Sequence, residues 1–430
     1  MTTMDILLGI FLTAGIVATL TAYLGSRRRR NGGSPPGEAG IRAAVPIFRV
    51  VALGLPGSGK TLLLASMFNE LQTPSRQSYY LSAAEGDVAR LTGWFAQMAD
   101  TTRADQWPRG TFTSETRHFS FGVKARAGDT VHEVLRLDLL EYAGELLTDA
   151  AEAESGRHTE LFDQVRSAHA LLGIIDGGRI RQHLDGDPQG WTELHRTLNI
   201  LVPHLIGASC PVSFVVTKWD LLSHLHEDEN TRLALVRDLL MSNEHFRTLV
   251  RLHSDRRVVR LIPVSAVGPG FASVDTSGHV VKIRSAQARP AYVDVPLSAV
   301  VPDLFDQAEM GLDATLRAAL DEEARRHLWR APLERLRSAA MLTFQTSGRA
   351  LLYALGPPPA AVAGDVLMGM FFESRALTAG QEQAIPGPHA GEAERRVDEF
   401  VHVRRQVLQD MRAKPAMLEG RLPSSRLSGS

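Results

Sequence analysis

The stretch that decides the fold is GLPGSGKT, residues 54–61, which matches the pattern GxxxxGK[ST] in full. It follows the apolar run Ile47 to Leu53 and precedes Leu62 to Leu71, whose apolar spacing is typical of a helix. A strand, a glycine-rich turn and a helix in this order direct backbone N–H groups at phosphate oxygens. The residues expected to hold phosphate are Gly54, Pro56, Gly57, Ser58, Gly59, Lys60 and Thr61.

Lysine usage supports this interpretation. The chain has 47 basic residues, but only five are lysines, and two of these, Lys60 and Lys218, occupy motif positions. A planar guanidinium cannot replace a compact ammonium inside a phosphate loop. We therefore expect Lys60 to contact the outer phosphates of a nucleotide and the Thr61 hydroxyl to bind Mg²⁺.

A second motif, TKWD at residues 217–220, follows the apolar run Pro211 to Val216. An aspartate carboxylate can accept hydrogen bonds from both N1–H and N2–H₂ of guanine, whereas adenine offers no such pair of donors. Asp220 is therefore expected to select guanine. Thr217 and Lys218 would complete the base site, with the Lys218 stem along the base.

A third segment, LDLLEYAGE at residues 137–145, resembles the LDxLDTAGQ segment of Ras-like P-loop GTPases. The resemblance implies that Glu141 is the Mg²⁺-linked carboxylate and that the Gly144 N–H senses the γ-phosphate. It also implies that Glu145 replaces the glutamine that orients the attacking water. Both glutamates depart from the family pattern, and a carboxylate at 145 adds negative charge beside the γ-phosphate. We therefore expect slow intrinsic hydrolysis.

The resemblance extends from about Phe48 to Ala266. The strand-like run Arg260 to Val264 ends in Ser265-Ala266, which is similar to the turn that contacts guanine O6 in these GTPases. The order of motifs is closest to bacterial double-GTPase-type domains within the translation-factor-related class of P-loop GTPases. The cofactors implied are GTP or GDP and Mg²⁺.

The first switch of the family should supply a Mg²⁺-binding threonine between residues 61 and 138. Thr111, in the stretch WPRGT that begins at Trp107, is the preferred candidate, and Thr113 is the competitor. Arg109 lies close to where some GTPases place a catalytic arginine in cis. The alternative for Arg109 is an ordinary loop arginine in solvent.

Alternating apolar runs and helical periodicity predict an α/β fold with a mostly parallel sheet and helices on both faces, as in Ras-like GTPases. We assign the GTPase domain to residues 44–326, with one antiparallel pair of strands near Arg117 and Val131. Helices are expected at Thr192 to Leu205 and Arg232 to Leu252. The remaining predicted strands are Phe48 to Leu53, His169 to Asp176, Val212 to Val216 and Arg257 to Val264.

The N-terminus predicts a membrane anchor. Residues 1–5 precede Ile6 to Leu24, which has 19 residues and no charge, long enough to cross a bilayer as a helix. Arginines 27–30 follow, so the positive-inside rule puts residues 1–5 outside and the GTPase domain in the cytoplasm. A cleavable signal peptide is the alternative. Residues 25–43 form a basic and Gly/Pro-rich linker.

Beyond Ala266, residues 267–290 suggest a hairpin insertion and residues 302–326 a closing helix. We assign residues 327–411 to a helical extension, in which the amphipathic stretch Glu392 to Met411 suggests a partner or self-association helix. Residues 412–430 are expected to be a disordered tail. The apolar VLMGMFF, residues 366–372, is expected to pack on the GTPase domain.

Composition narrows the function. A net charge of -1 gives no reason to expect nucleic acid as a partner. The 15 histidines show no metal-ligand spacing, and one cysteine excludes an internal disulfide. The leading hypothesis is a membrane-anchored GTPase switch with slow turnover and an unidentified protein effector or activating partner. The alternatives are a nucleotide-gated scaffold with little turnover and an ATP-driven motor or transport ATPase, which would leave TKWD unexplained.

Overall fold

A seven-stranded, mostly parallel β-sheet flanked by helices forms the centre of the protein. The computed structural model describes residues 45, 47–74, 77–110, 116–142, 156–255, 257–275, 278–304 and 390–427. The strand order in the sheet is β2-β3-β4-β1-β5-β6-β7, with the first two pairs antiparallel and the other four parallel. The predicted α/β class with a mostly parallel sheet is confirmed.

The strands are β1 Ile47–Leu53, β2 Tyr79–Ser82, β3 Thr116–Ala127, β4 Thr130–Tyr142, β5 Ala170–Asp176, β6 Val212–Thr217, β7 Arg260–Pro263, β8 Ala272–Val274 and β9 Val280–Lys282. The helices are α1 Lys60–Leu71, α2 Glu85–Ala99, α3 Gly156–Arg166, α4 Gly177–Leu184, α5 Pro188–Ile206, α6 Glu229–Ser242, α7 Glu244–Ser254 and α8 Ala390–Arg421. Residues 295–304 are also helical.

The three central strands determine the edge of the sheet at which a ligand can bind. β1, β5 and β6 are almost wholly buried apolar runs, as strands covered on both faces must be. Their carboxyl ends all point to one edge, because β1 pairs with β5 and β5 with β6 in parallel. Ligands of open α/β sheets bind beyond this edge. The sequence motifs that follow β1 and β6 are therefore neighbours.

The antiparallel edge has one strand more than the sequence predicted. β2 pairs with β3 on the side away from β4, so the edge consists of three strands rather than two. Because β2 is only four residues long, its apolar periodicity is a weak signal in the sequence. Tertiary contacts decide whether such a segment forms a strand. Tyr79 is fully buried, with its hydroxyl 3.1 Å from Ser298 Oγ.

The helix predicted over Arg232 to Leu252 is two helices, α6 and α7. The chain turns at Asn243, which adopts an extended backbone conformation between them. Its side-chain oxygen accepts a hydrogen bond of 3.0 Å from the Phe246 N–H, which caps α7. The prediction was wrong at this point because apolar periodicity alone passes over a capping residue.

The hairpin expected between 267 and 290 is present. β8 pairs with β9 in an antiparallel two-stranded sheet separate from the main one. It follows the Ser265-Ala266 turn directly in sequence.

The C-terminal segment differs most from expectation. Residues 412–427 are not a disordered tail, because α8 continues to Arg421 and a 3-10 turn, Pro423–Ser425, follows it. The apolar stripe assigned to a partner helix packs instead on the same chain, because α8 contacts strands β3 and β4, and its residues Val403, Val407 and Met411 are buried in the main hydrophobic core. Lys414 adds an ion pair of 2.5 Å to Asp294. An amphipathic stripe predicts that one face of a helix is buried, but it does not show which surface covers that face.

Several predicted segments lie outside the described residues. These are the anchor Ile6 to Leu24, the linker 25–43, and the part of the helical extension that contains residues 366–372. Among the described residues, no helix has the length and apolar character needed to cross a membrane.

We predict that Met411→Ala lowers the free energy of unfolding by about 3 kcal/mol, because it leaves a cavity where α8 packs on the sheet. Met411 is fully buried. Met417 lies on the same helix and is 65% exposed, so Met417→Ala is the matched control and should change stability by less than about 0.5 kcal/mol. Urea denaturation measures both. Equal effects of the two substitutions would contradict the packing of α8.

Candidate functional site

A cleft of about 290 Å³ lies at the carboxyl ends of the central strands. The phosphate loop forms one side, and the TKWD segment and residues 264–267 form another. Glu141, at the end of β4, and Trp107, in the segment after α2, also line it. The motifs that lie far apart in the sequence therefore meet in one cavity.

The phosphate loop connects β1 to α1, and its glycines are required by its shape. Gly57 and Gly59 have φ of 74° and 85°, in the left-handed region that disfavours other residues. At Gly54 a Cβ atom would lie 2.8 Å from the Cβ of Ile174 on β5, which leaves no room for a side chain. The loop thus has the backbone expected of a phosphate cradle at a helix N-terminus.

Lys60 is the first residue of α1, and its side chain folds back across the loop. Its ammonium group donates to the carbonyl oxygens of Gly54, at 2.7 Å, and Leu55, at 3.1 Å. The side chain is buried, so a positive charge is held at the mouth of the loop in a region of low dielectric. The Ser58 hydroxyl beside it is buried and makes no hydrogen bond within the described chain.

Thr61 and Glu141 form the pair expected for a metal site. The Thr61 hydroxyl donates to Glu141 Oε1 at 2.6 Å, and Glu141 is only 1% exposed. The second carboxylate oxygen is buried without a hydrogen-bond partner in the described residues. A hydroxyl and a carboxylate are oxygen ligands of the kind that Mg²⁺ prefers, so the donor set fits this ion.

Arg117 is a charged neighbour of this pair that the sequence analysis did not identify. Its guanidinium lies 3.7 Å from Glu141 Oε2 and stacks 4.7 Å from the centre of the Trp94 ring. The register of β3 and β4 pairs Arg117 directly with Glu141. This contact could have been predicted from the sequence, because Arg117 and Glu141 become partners once β3 and β4 are aligned as a hairpin.

The TKWD segment, which is the predicted base motif, is hydrogen-bonded to the phosphate loop. The Thr217 hydroxyl donates to the Ser58 carbonyl oxygen at 2.6 Å. Lys218 has a φ of 52°, and its ammonium forms an ion pair of 2.8 Å with Asp176 at the end of β5. Asp176 also accepts the Gly178 N–H at 2.8 Å and so caps α4. Asp176 was not among the predicted site residues.

Asp220 is fixed by the turn that follows β7. The Ser265 hydroxyl donates to Asp220 Oδ1 at 2.5 Å and accepts the Gly268 N–H at 2.7 Å. The carbonyl oxygen of Ala266 accepts the Ser66 hydroxyl of α1 at 2.5 Å. Burial raises the pKa of the Asp220 carboxyl, and the hydrogen bond from Ser265 partly opposes this. A ligand that donates two N–H groups to this carboxylate would bind more weakly as pH falls through the raised pKa, because only the ionised form accepts both.

Not every predicted site residue can be placed. Thr111, its competitor Thr113, Gly144 and Glu145 lie outside the described residues. Arg109 is described and exposed, and its neighbours Pro108 and Gly110 line the cleft.

Comparison with known proteins gives no further assignment. No protein-family model matches this chain, and no curated protein shows significant similarity to it.

We predict that Gly177→Ala disrupts the base motif, because a Cβ atom there would lie 2.2 Å from the Thr217 carbonyl oxygen. Moving this backbone should lower the free energy of unfolding by about 1–3 kcal/mol. Gly207→Ala is the control, since a Cβ atom there meets nothing within 4 Å. Chemical denaturation measures both, and an unchanged Gly177→Ala protein would contradict the close approach of α4 to the motif.

Proposed function

We propose that this protein is a GTPase of the P-loop class with a Ras-like fold, which binds GTP with Mg²⁺ and hydrolyses it slowly to GDP. The observation that carries the proposal is the meeting, in one cleft, of the phosphate loop, the Thr61–Glu141 pair and the half-buried Asp220 carboxylate. Each recognises a different part of the same ligand, namely phosphates, metal and base.

The base assignment rests on the chemistry of Asp220. Its carboxylate lines the cleft, is half-buried, and has one oxygen that accepts a hydrogen bond from Ser265. An ionised carboxylate is an acceptor only, so it suits N1–H and N2–H₂ of guanine and has no matching donor pair on adenine. Ser265 holds this group by its hydrogen bond, and Thr217, Lys218 and Ala266 fix the surrounding loops through Ser58, Asp176 and Ser66. An ATP-driven motor would leave the arrangement without a purpose.

The phosphate end rests on Lys60 and on the helix N-terminus. In the proposed complex the ammonium and the loop N–H groups from Gly57 to Thr61 contact the β- and γ-phosphates. Mg²⁺, held by Thr61 and by Glu141 directly or through water, would neutralise charge on these phosphates. Thr111 is proposed to complete the metal shell, and Gly144 to contact the γ-phosphate.

Slow turnover follows from the residue at 145. A glutamate cannot donate the hydrogen bonds by which a glutamine amide orients water, and its charge opposes the charge on the γ-phosphate. The protein would then act as a regulatory switch with an effector or activating partner. The second candidate, a nucleotide-gated scaffold with little turnover, is favoured by the same glutamate.

Membrane attachment belongs to the proposal as well. The uncharged stretch Ile6 to Leu24 and the arginines that follow it support a single-pass anchor with the GTPase domain on the cytoplasmic side. The short linker 25–43 would keep the domain close to the bilayer.

We predict that Asp220→Asn weakens GTP binding and favours xanthosine triphosphate, because the C2 carbonyl of xanthine accepts a hydrogen bond from the asparagine amide. We expect GTP affinity to fall about 100-fold, which is about 2.7 kcal/mol and corresponds to the loss of one good hydrogen bond to a charged group. Titration with fluorescent nucleotides measures both affinities for each protein.

Asp238→Asn is the matched control, because Asp238 is 66% exposed and pairs only with its neighbour Arg237 among the contacts described. It should leave nucleotide preference unchanged. Equal affinity of the unmodified protein for ATP and GTP would refute the guanine assignment.

The proposal assigns Arg109 the charge-stabilising role in hydrolysis, because Glu145 cannot supply it. We predict that Arg109→Ala lowers the single-turnover rate by about 10³ and leaves GTP affinity nearly unchanged, as for an interaction made in the transition state alone. Arg103→Ala, an exposed arginine six residues earlier, is the control. A rate within a few-fold of the unmodified protein would remove Arg109 from the mechanism and support the scaffold.

A further inference from the structure

The hairpin β8–β9 closes one side of the nucleotide cleft. Ala272 and Val280 line the cavity, one from each strand, together with Val267 from the turn that precedes the hairpin. Trp107 lines it as well, and its ring packs edge-on against the fully buried Phe271 with centroids 6.4 Å apart. These side chains form an apolar wall of the cleft.

Lys282, the last residue of β9, anchors this wall. Its side chain is buried, and its ammonium donates to three carbonyl oxygens, those of Gln97 at 2.8 Å, Asp100 at 2.9 Å and Gln106 at 2.7 Å. The ammonium also lies 5.0 Å from the centre of the Trp107 ring. All three N–H donors of the lysine are therefore used, and a cation lies at the C-terminal end of α2, where the helix dipole favours it.

Further hydrogen bonds join the hairpin to the same segment. The Trp107 indole N–H donates to the Val280 carbonyl oxygen at 2.8 Å, and the Lys282 N–H donates to the Ala104 carbonyl oxygen at 2.9 Å. Residues 100–110 form no helix or strand of their own. Their position at the cleft thus depends on contacts with the hairpin.

The connectivity gives these contacts a functional meaning. The hairpin begins just after Ser265 and Ala266, which orient the base-reading carboxylate. It ends by holding the segment that leads to Arg109 and Thr111. One insertion therefore ties the base side of the cleft to the start of the proposed first switch.

We propose that the hairpin β8–β9, anchored by Lys282, retains the bound nucleotide, and that Lys282 is the positioning residue of this wall. The inference rests on the proposed function, because the retained ligand is a guanine nucleotide. A nucleotide leaving the cleft on this side has to displace the apolar wall. The wall is held by the three hydrogen bonds of the Lys282 ammonium group (the ammonium cage) and by the hydrogen bond of the Trp107 indole. Release is therefore slow as long as the anchor is intact.

The test is the dissociation rate of a fluorescent GDP analogue from the purified full-length chain, chased with excess unlabelled GDP. Lys282→Met keeps the length of the side chain and removes its three donors, so dissociation should be at least ten times faster. The association rate should change less, because it depends mainly on the encounter of nucleotide and cleft, whereas dissociation requires displacement of the wall. A fluorescence change of Trp107 on nucleotide binding should be reduced in the same variant.

Lys414→Met is the matched control. Lys414 is a partly buried lysine outside the motifs, with an ion pair to Asp294 and a position 5.3 Å from the Tyr79 ring, and it does not line the cleft. It should lower stability while keeping the dissociation rate within twofold. A purely structural role for Lys282 predicts that the two variants behave alike, which would overturn the inference.

Trp107→Leu provides a second route if Lys282→Met does not fold. It removes the indole hydrogen bond and much of the wall but leaves the ammonium cage, and it should also speed dissociation. An unchanged rate in either folded variant, with nucleotide binding intact, would overturn the retention role alone. Failure of the unmodified protein to bind guanine nucleotide would overturn the proposed function and this inference with it.

Discussion

The hydrogen bond from the Thr217 hydroxyl to the Ser58 carbonyl oxygen joins the two halves of the site, and the rest of the arrangement depends on it. The phosphate loop follows β1 and the base motif follows β6, so the two are separated by β5 in the sheet. Parallel pairing brings their ends to one edge, but a direct bond is needed to fix their spacing. Gly177 makes the contact possible, since any side chain there would push the Thr217 backbone away. A ligand that spans both loops then meets a preorganised cleft.

Much of this arrangement was predictable from the sequence. Buried apolar runs specified the central strands, and motifs directly after them had to lie at the carboxyl edge of the sheet. Residues that act through partners in space were harder to find. Arg117 reaches Glu141 across a strand pair, and Asp176 reaches Lys218 across the strand ends. Neither belongs to a contiguous motif, so their roles appear only when the register is known.

The C-terminal helix α8 shows what a sequence pattern alone cannot predict. Its apolar stripe correctly indicated burial, yet the stripe could not show that the partner was the same chain. Polar contacts supply that information, because Asp410 accepts the Ser78 N–H at 2.8 Å and Arg260 pairs with Glu419 at 2.8 Å. These contacts connect residues more than 150 positions apart, beyond the reach of any local rule. A charged C-terminal stretch that resembles a disordered tail is ordered here by specific acceptors and buried leucines.

The scarcity of lysine connects these separate findings. Of 47 basic residues, 42 are arginine (47 minus five lysines), and four of the five lysines hold a fixed partner. Lys60 and Lys218 serve the loops of the cleft, Lys282 the wall and Lys414 the C-terminal helix. An ammonium group directs its donors tetrahedrally and fits a cage of converging oxygens, whereas a guanidinium directs them in a plane. In a chain that otherwise uses arginine, these four lysines therefore mark places that suit a compact cation. Lys282 belongs to no recognised motif, but by this reasoning it is as much a part of the site as Lys60 and Lys218 are. The apolar wall that it anchors then belongs to the site as well.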